Sequence, residues 1–361
     1  MQALHIHAGP KALAHIRENG LRPEHIGAIP GAAGGPKGLV LGPLDRFIFG
    51  EWLASSHQPV DLVGASIGAW RMATACLNQA VTAFERLEHD YIHQRYEPLP
   101  NQKRVTAQQV SDAFGHSLHA FYGGRVDEVL SHSRYRLHIV TSHGRHILGR
   151  EHALATPLGY AGAFLSNVVQ RRALGGWLER VVFSGQASPL PFDASDFRTR
   201  QVDLNSGNFM PALQASCSIP FALKAVHDIP GAPRGAYWDG GITDYHLHLN
   251  WTAPTQGTDR ALVLYPHFQK AVVPGWLDKA LKWRHAPSSF LDNTIVLAPN
   301  PEWVKTLPGG KLPDRTDFMT YQHDFAGRVK AWTAAVQASQ QLADEWAQWL
   351  ARPDMERIRA L

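Results

Sequence analysis

Two short apolar runs, each ending in glycines, constrain this chain more than any other feature. Residues 26–44 read IGAIPGAAGGPKGLVLGPL and residues 58–77 read QPVDLVGASIGAWRMATACL. In both, a run too short for a helix meets a glycine turn and then a helix-length apolar stretch, giving strand, loop and helix twice in succession. Strands apolar on both faces must be covered on both faces, which points to parallel pairing with helices on either side. RLHIVTS (136–142), ALVLYP (261–266) and NTIVLAP (293–299) read as further strands of the same kind. The expected fold is α/β: an open, mostly parallel sheet sandwiched by helices, with an extra helix at the C-terminal end.

Composition narrows the function classes. Of 361 residues, 44 % are hydrophobic and 18 % charged, an ordinary globular balance. The 35 Lys and Arg exceed the 31 Asp and Glu by four, without the clustered stripe that a nucleic-acid binder needs, so no nucleic-acid partner is expected. Cys76 and Cys217 are far apart and lack the CxxC spacing of a metal or redox site. The closest histidine pairs, His5 with His7 and His246 with His248, share a face only on a strand, and no HExxH accompanies them; no metal is expected. The opening MQALHIHAGPKALAHIRENG lacks the pattern of a secretory leader, and no window approaches 18 apolar residues. The expected location is cytoplasmic, with peripheral contact to a membrane or lipid surface as the alternative; oligomeric state is left open.

Other segments flank the βα pattern. Residues 10–19 read as a short helix stopped by Gly20, and residues 38–53 as one helix with Pro43 near its first turns. PGWLDKALKWRH (274–285) is amphipathic enough to be an interfacial helix or a helix packed on the core. AGAFLSNVVQRRALGGWLERVVF (161–183) suits a lid, an acyl-chain wall or a buried helix. A long helix from Asp324 carries Phe325, Val329, Trp332, Val336 and Leu350 on one stripe and stops at Pro353, with Trp332, Trp346 and Trp349 read as core anchors. The expected division is an N-terminal extension (1–24), a catalytic domain (25–300) and a helical extension packed on it (301–361).

The first glycine loop looks built for an anion. A Walker loop started at Gly31 needs glycine at Pro36 and Ser or Thr at Gly38, and Pro36 has no N–H to cradle phosphate. A GxGxxG fingerprint starts at Ala33 and lacks its first glycine. GASIG (64–68) offers a third reading: Ser66 sits in GxSxG between strand and helix, the form of a nucleophile elbow, with Gly64 and Gly68 beside it. The anion at residues 34–38 is then a transient oxyanion. A base is also required. His246, His267, His285 and His323 suit a Ser-His-Asp order, while AYWDGGITD places Asp239 at a strand end before Gly240 and Gly241, where apolar surroundings raise a carboxyl pKa.

Together these segments resemble the patatin-like phospholipase family: AGGPKG (33–38), GASIG (64–68), DGG (239–241), and ALQASCSIPFALKAV (212–226) with its Ala-Ser-x-x-Ile-Pro core. The resemblance covers roughly residues 25–300. It implies a patatin-like fold, Ser66 as nucleophile, Asp239 as its base, and Gly34, Gly35, Pro36, Lys37 and Gly38 as the oxyanion loop. It also implies a lipid or acyl-ester substrate, an acyl-serine intermediate and no metal or organic cofactor. The alternatives are an esterase acting on non-phospholipid esters or a storage polyester, and an inactive lipid-binding or scaffold protein of the same fold. Two departures stand out: Ala33 replaces the family's first glycine, and ITDYHL follows DGG where the family often has Asn and Pro.

Overall fold

A computed structural model describes residues 1–100, 102–251 and 262–361. Its eleven strands are β1 (Leu4–Ala8), β2 (Ile26–Gly31), β3 (Val60–Ala65), β4 (Tyr135–Gly144), β5 (Leu178–Ser184), β6 (Thr199–Asp203), β7 (Val226–His227), β8 (Ala236–Asp239), β9 (Leu262–Pro266), β10 (Thr294–Pro299) and β11 (Ile358–Ala360). They form one sheet in the order β11-β1-β10-β9-β2-β3-β4-β5-β6, with β8 pairing on β4 and β7 on β8. The run from β10 through β9, β2 and β3 to β4 is parallel, as are the β1–β11 and β5–β6 pairs. Pairing is antiparallel at β1–β10, β4–β5, β4–β8 and β7–β8. The α/β expectation of a mostly parallel, helix-covered sheet therefore holds. The strand expected over 261–266 is β9, with Ala261 outside the described residues.

Alternation along the strands builds the two cores. Ile29, Leu62 and Leu264 join the cluster on one face, while Ala28, Val63, Val263 and Tyr265 join the cluster on the other. A period of two in strands apolar throughout is what a sheet buried on both sides requires. Both chain ends enter this sheet, since β1 lies between β11 and β10.

Three helical expectations change in detail. The helix expected over 38–53 is a 3-10 turn at Gly35–Leu41, an α-helix at Gly42–Phe47 and a π turn at Ile48–Trp52. Pro43 lies in the first turn of the α segment, where its missing N–H costs nothing; extending that helix backward would drive its ring into the carbonyl of Leu39. Residues 274–285 are not an amphipathic helix but two 3-10 turns, Trp276–Asp278 and Lys282–Arg284. Buried Asp278 explains the break, accepting from Asn167 Nδ2 at 2.8 Å, Arg171 Nη1 at 3.1 Å and Arg284 Nη1 at 2.8 Å, a geometry that folds the segment around the carboxylate. Within 161–183 the chain forms a helix, Ala155–Val169, then a 3-10 turn and β5. That helix is not buried; its outer face lies in solvent. The C-terminal helix spans Phe325–Ala351 with Asp324 capping its start, and Trp332, Trp346 and Trp349 are buried as expected.

A buried ion pair joins the two glycine-loop units. Arg71, on the Ile67–Ala75 helix, donates Nε–H and Nη2–H to both carboxylate oxygens of Asp45, each at 2.7 Å, and both side chains are buried. Burial pushes the Asp45 carboxyl up while Arg71 pulls it back. Removing one partner strands the other without water, so Arg71→Met is expected to destabilise the fold by about 3–5 kcal/mol. Urea denaturation checks this, and a loss below about 1 kcal/mol would show that the pair does not tie the units together.

Candidate active site

Register brings the candidate residues together. β3 pairs with β4 so that Ala65 lies opposite Val140, and β8 runs antiparallel on β4 with Asp239 opposite Thr141. Ser66, one residue beyond Ala65, thus reaches the level of Asp239. Ser66 Oγ donates to Asp239 Oδ2 at 2.7 Å. The two are 4 % and 5 % exposed, so the bond is made out of bulk water.

The elbow explains the glycines of GASIG. Ser66 has φ 56° and ψ −130°, a strained conformation for a residue with a side chain. A Cβ on Gly64 would stand 2.3 Å from the Cα of Ala69, and one on Gly68 would stand 1.8 Å from the carbonyl oxygen of Gly31. Strand and helix approach too closely for anything but hydrogen at these positions. Strain is held by hydrogen bonds: Ser66 N–H donates to Ser216 Oγ at 2.9 Å, and Ser216 Oγ–H donates to Val140 O at 2.7 Å. Ser216 belongs to the Ala-Ser-x-x-Ile-Pro segment, whose role as a brace had no signal in the sequence beyond that likeness.

Asp239 is held as firmly. Gly241 N–H donates to its Oδ1 at 2.7 Å, Ser142 Oγ–H to its carbonyl at 2.9 Å, and its own N–H to Ser218 O at 2.9 Å. The ITD segment supplies support in place of Asn and Pro. Thr243 Oγ1 shares a hydrogen bond with Ser142 Oγ, and Asp244 receives Nε–H and Nη2–H from buried Arg180 at 2.7 and 2.6 Å. Gly240 packs against Val140, its N–H donating to Ser216 O at 3.1 Å. Burial raises the Asp239 carboxyl above its ordinary range; Arg315, the Ser66 hydroxyl, Gly241 N–H and Lys279 hold it back.

The glycine loop lies at the end of β2 beside this pair. Ala33 N–H donates to Tyr245 O at 2.9 Å, so it is occupied by the protein. Among the described residues the Gly34 and Gly35 N–H groups donate to no protein acceptor. A side chain at Gly34 would strike Phe268, whose Cε1 would be 2.5 Å away. Pro36 has no N–H, and Lys37 and Gly38 lie within the 3-10 turn. Lys37 Nζ folds over the Phe268 ring, 5.3 Å from its centroid. Gly38 leaves room for Ile67, whose Cγ1 would be 3.3 Å from a Cβ there.

None of the histidines considered as a base hydrogen-bonds to Ser66. His246 packs on His267 with ring centroids 4.4 Å apart, His285 bonds Asp278 O, and His323 bonds Gln322. Sequence reasoning missed Arg315, whose Nε would be 3.2 Å from a Cβ on Gly35, with the Tyr91 hydroxyl at 3.6 Å. It comes from a segment with no motif, so only the folded chain reveals it. Lys279 also lies nearby, its Nζ 4.3 Å from the Tyr245 centroid; burial, Arg315 and Lys37 lower its pKa to about 8. Lys37, Lys279 and Arg315 have no ion-pair partner among the described residues.

Arg315 opposes the effect of burial on Asp239, which fixes a sign. Removing its charge in Arg315→Gln destabilises the carboxylate form, so the Asp239 pKa is expected to rise further. Carboxyl-carbon NMR titration with Asp239→Asn as assignment control measures this, and an unchanged or lowered pKa would place Arg315 outside the site's field.

No protein-family model matches the chain, and no curated protein does. Among solved structures, it is similar to VipD from Legionella pneumophila, with 14 % identity over 90 % of this chain and 67 % of that one, at a TM-score of 0.36. It is also similar to human GIVD cytosolic phospholipase A2, with 12 % identity over 96 % of this chain and 63 % of that one, at a TM-score of 0.33. This chain thus spans about two thirds of each.

Proposed function

We propose that the chain is a serine acyl hydrolase of patatin-like type acting on lipid esters through a Ser66–Asp239 dyad. The observation that carries this reading is the 2.7 Å hydrogen bond from Ser66 Oγ to the Asp239 carboxylate, made at a strained turn and out of water. Ser66 Oγ passes its proton to Asp239 Oδ2 and attacks the ester carbonyl carbon. The carbonyl oxygen becomes an oxyanion facing the Gly34 and Gly35 N–H groups. Asp239 returns the proton to the departing alcohol, leaving an acyl-serine. It then takes a proton from water, the hydroxide equivalent attacks the acyl carbon, and Asp239 returns that proton to the departing Ser66 Oγ as the carboxylic acid leaves.

A carboxylate is a sufficient base only if its pKa is raised, and burial of Asp239 acts in that direction. Residues 25–300 hold the reacting groups on this reading. Residues 1–24 add strand β1, and residues 301–361 add Arg315 and the edge strand β11. Lys37, Lys279 and Arg315 favour a phospholipid, whose phosphate would meet them, over a neutral storage polyester. An inactive scaffold of the same fold is disfavoured by the strained serine hydrogen-bonded to a buried carboxylate, since strain of this kind clusters at functional sites.

Fluorophosphonate labelling tests the nucleophile: Ser66→Ala is expected to abolish labelling, and undiminished labelling of that variant would overturn the assignment. Asp239→Asn is expected to lower ester turnover on the order of a thousandfold, whereas a Ser-His-Asp enzyme would lose that much on a histidine change instead. Because the base must be deprotonated, kcat/KM should fall as pH drops through the raised Asp239 pKa. The acid limb should therefore lie above the ordinary carboxylate range, and in Arg315→Gln it should move to higher pH.

A further inference from the structure

The Ala155–Val169 helix is built inside out. Its sequence, ATPLGYAGAFLSNVV, contains no charged residue. Its glycines mark close approaches: a Cβ on Gly159 would meet Leu148 Cδ2 at 2.6 Å, and one on Gly162, on the flank of the helix, would meet Trp177 Cη2 at 2.5 Å. Tyr160 apart, its largest apolar side chains point away from the protein. Leu158, Leu165 and Val169 are 68 %, 65 % and 85 % exposed, and Leu154 just before the helix is 79 % exposed. Positions 154, 158, 165 and 169 fall within about 60° of one another on a helical wheel, so they form one stripe. A helix facing only water would carry polar groups there.

A further exposed aromatic stands against Tyr160, on the opposite face of the helix, turned toward the candidate active site. Phe221 is 62 % exposed and holds a φ of 69°, a left-handed conformation strained for an aromatic residue. Its ring lies 5.9 Å from that of Tyr160, which lies 5.9 Å from the Trp238 ring beside Asp239. At the far end, Arg284 donates to Val168 O, carrying exposed Trp283 alongside.

Unpaired charge near the helix is mostly positive. Arg150, Arg172 and Lys282 are exposed and have no ion-pair partner among the described residues. Of the acids nearby, Glu151 pairs with Lys224 at 2.9 Å and Asp278 with Arg171 and Arg284, while Asp193 has no ion-pair partner among the described residues and accepts from Ser195 beside Arg172. A second copy docked face to face would set cations against cations. A layer of acyl chains below anionic headgroups suits both the apolar stripe and the basic rim.

We propose that the Ala155–Val169 helix docks the chain on an anionic lipid surface, inserting Leu154, Leu158, Leu165 and Val169 and bringing the Ser66 site to that surface. The purpose rests on the acyl-hydrolase reading, but the docking is measurable without turnover. Co-sedimentation with phosphatidylcholine vesicles containing phosphatidylglycerol is expected for wild type and Ser66→Ala alike. Binding to vesicles of phosphatidylcholine alone should be weaker by about tenfold or more. Leu158→Glu/Leu165→Glu should weaken binding on the order of a hundredfold, while its melting temperature and its turnover of a short, monomeric water-soluble ester stay at wild-type values. Vesicle binding unchanged in the double variant, wild type remaining in the supernatant, equal binding to both vesicle types, or a wild-type dimer dissolved by the double variant would each overturn the docking. Vesicle binding by a wild type that turns over no ester upholds the docking and removes the hydrolase reading instead.

Discussion

The site depends on β8 lying antiparallel on β4. The parallel strands deliver their loops to one end of the sheet, but chain order alone does not carry residue 239 to residue 66. The short β8 strand, running the other way, ends with Asp239 opposite Thr141, one step past the β4 residue that faces Ala65. A slip of one residue would turn Asp239 to the opposite side of the sheet, because side chains alternate with a period of two. Fixing that register requires many partners. Ser142, Ser216, Ser218 and Gly241 all form hydrogen bonds to Asp239 or its neighbours, and Arg180 clamps Asp244 five residues on.

That arrangement has a cost in two currencies, a strained serine backbone and a desolvated carboxylate, and the surroundings offset both. Ser216 satisfies the N–H at the strained turn, while Arg315 and Lys279 return part of the electrostatic stabilisation that Asp239 loses on burial. The balance leaves the carboxyl raised but opposed by positive charge. Ala33 fits the same logic. Its N–H is spent on Tyr245, and its Cβ would be 2.6 Å from a Cβ at Gly241, so it packs the glycine loop against the turn after Asp239. The free N–H groups are those of the next two residues.

The parts legible in the sequence are those where one residue type is obligatory. Glycine at 64 and 68 is forced by contacts near 2 Å, and such positions leave a pattern that reads directly. Strands apolar on both faces are equally plain. Less was visible where a polar side chain overrides a local tendency. Residues 274–285 have helical amphipathicity, but Asp278 draws three donors inward and bends the segment into turns. Arg315 was invisible because its role comes from the third dimension: a loop residue some 280 positions from Gly35 lies over it with no pattern to mark it. The strands β1 and β11, at one side of the sheet, are too short for periodicity, and pairing with β10 and with each other makes them strands.

The Ala155–Val169 helix illustrates the opposite failure, in which composition is plain and orientation is not. Residues 161–183 suit a lid, an acyl-chain wall or a buried helix equally, because composition does not say which way the apolar side chains face. In the fold, Gly159 and Gly162 approach Leu148 and Trp177 too closely for a larger side chain at either position, while Tyr160 fills the inner face and Leu158, Leu165 and Val169 lie on the outer one. Where the neighbours pack closely the residue type is set by space, and the orientation is not readable from hydrophobicity alone. The same helix contributes Tyr160, buried against Trp238, so its inner face is part of the wall behind Asp239 while its outer face meets whatever lies beyond the protein. A rigid element shared between the candidate site and an apolar surface fixes the distance between them. On the proposed reading, an ester presented by a lipid layer would approach Ser66 from a direction set by the fold.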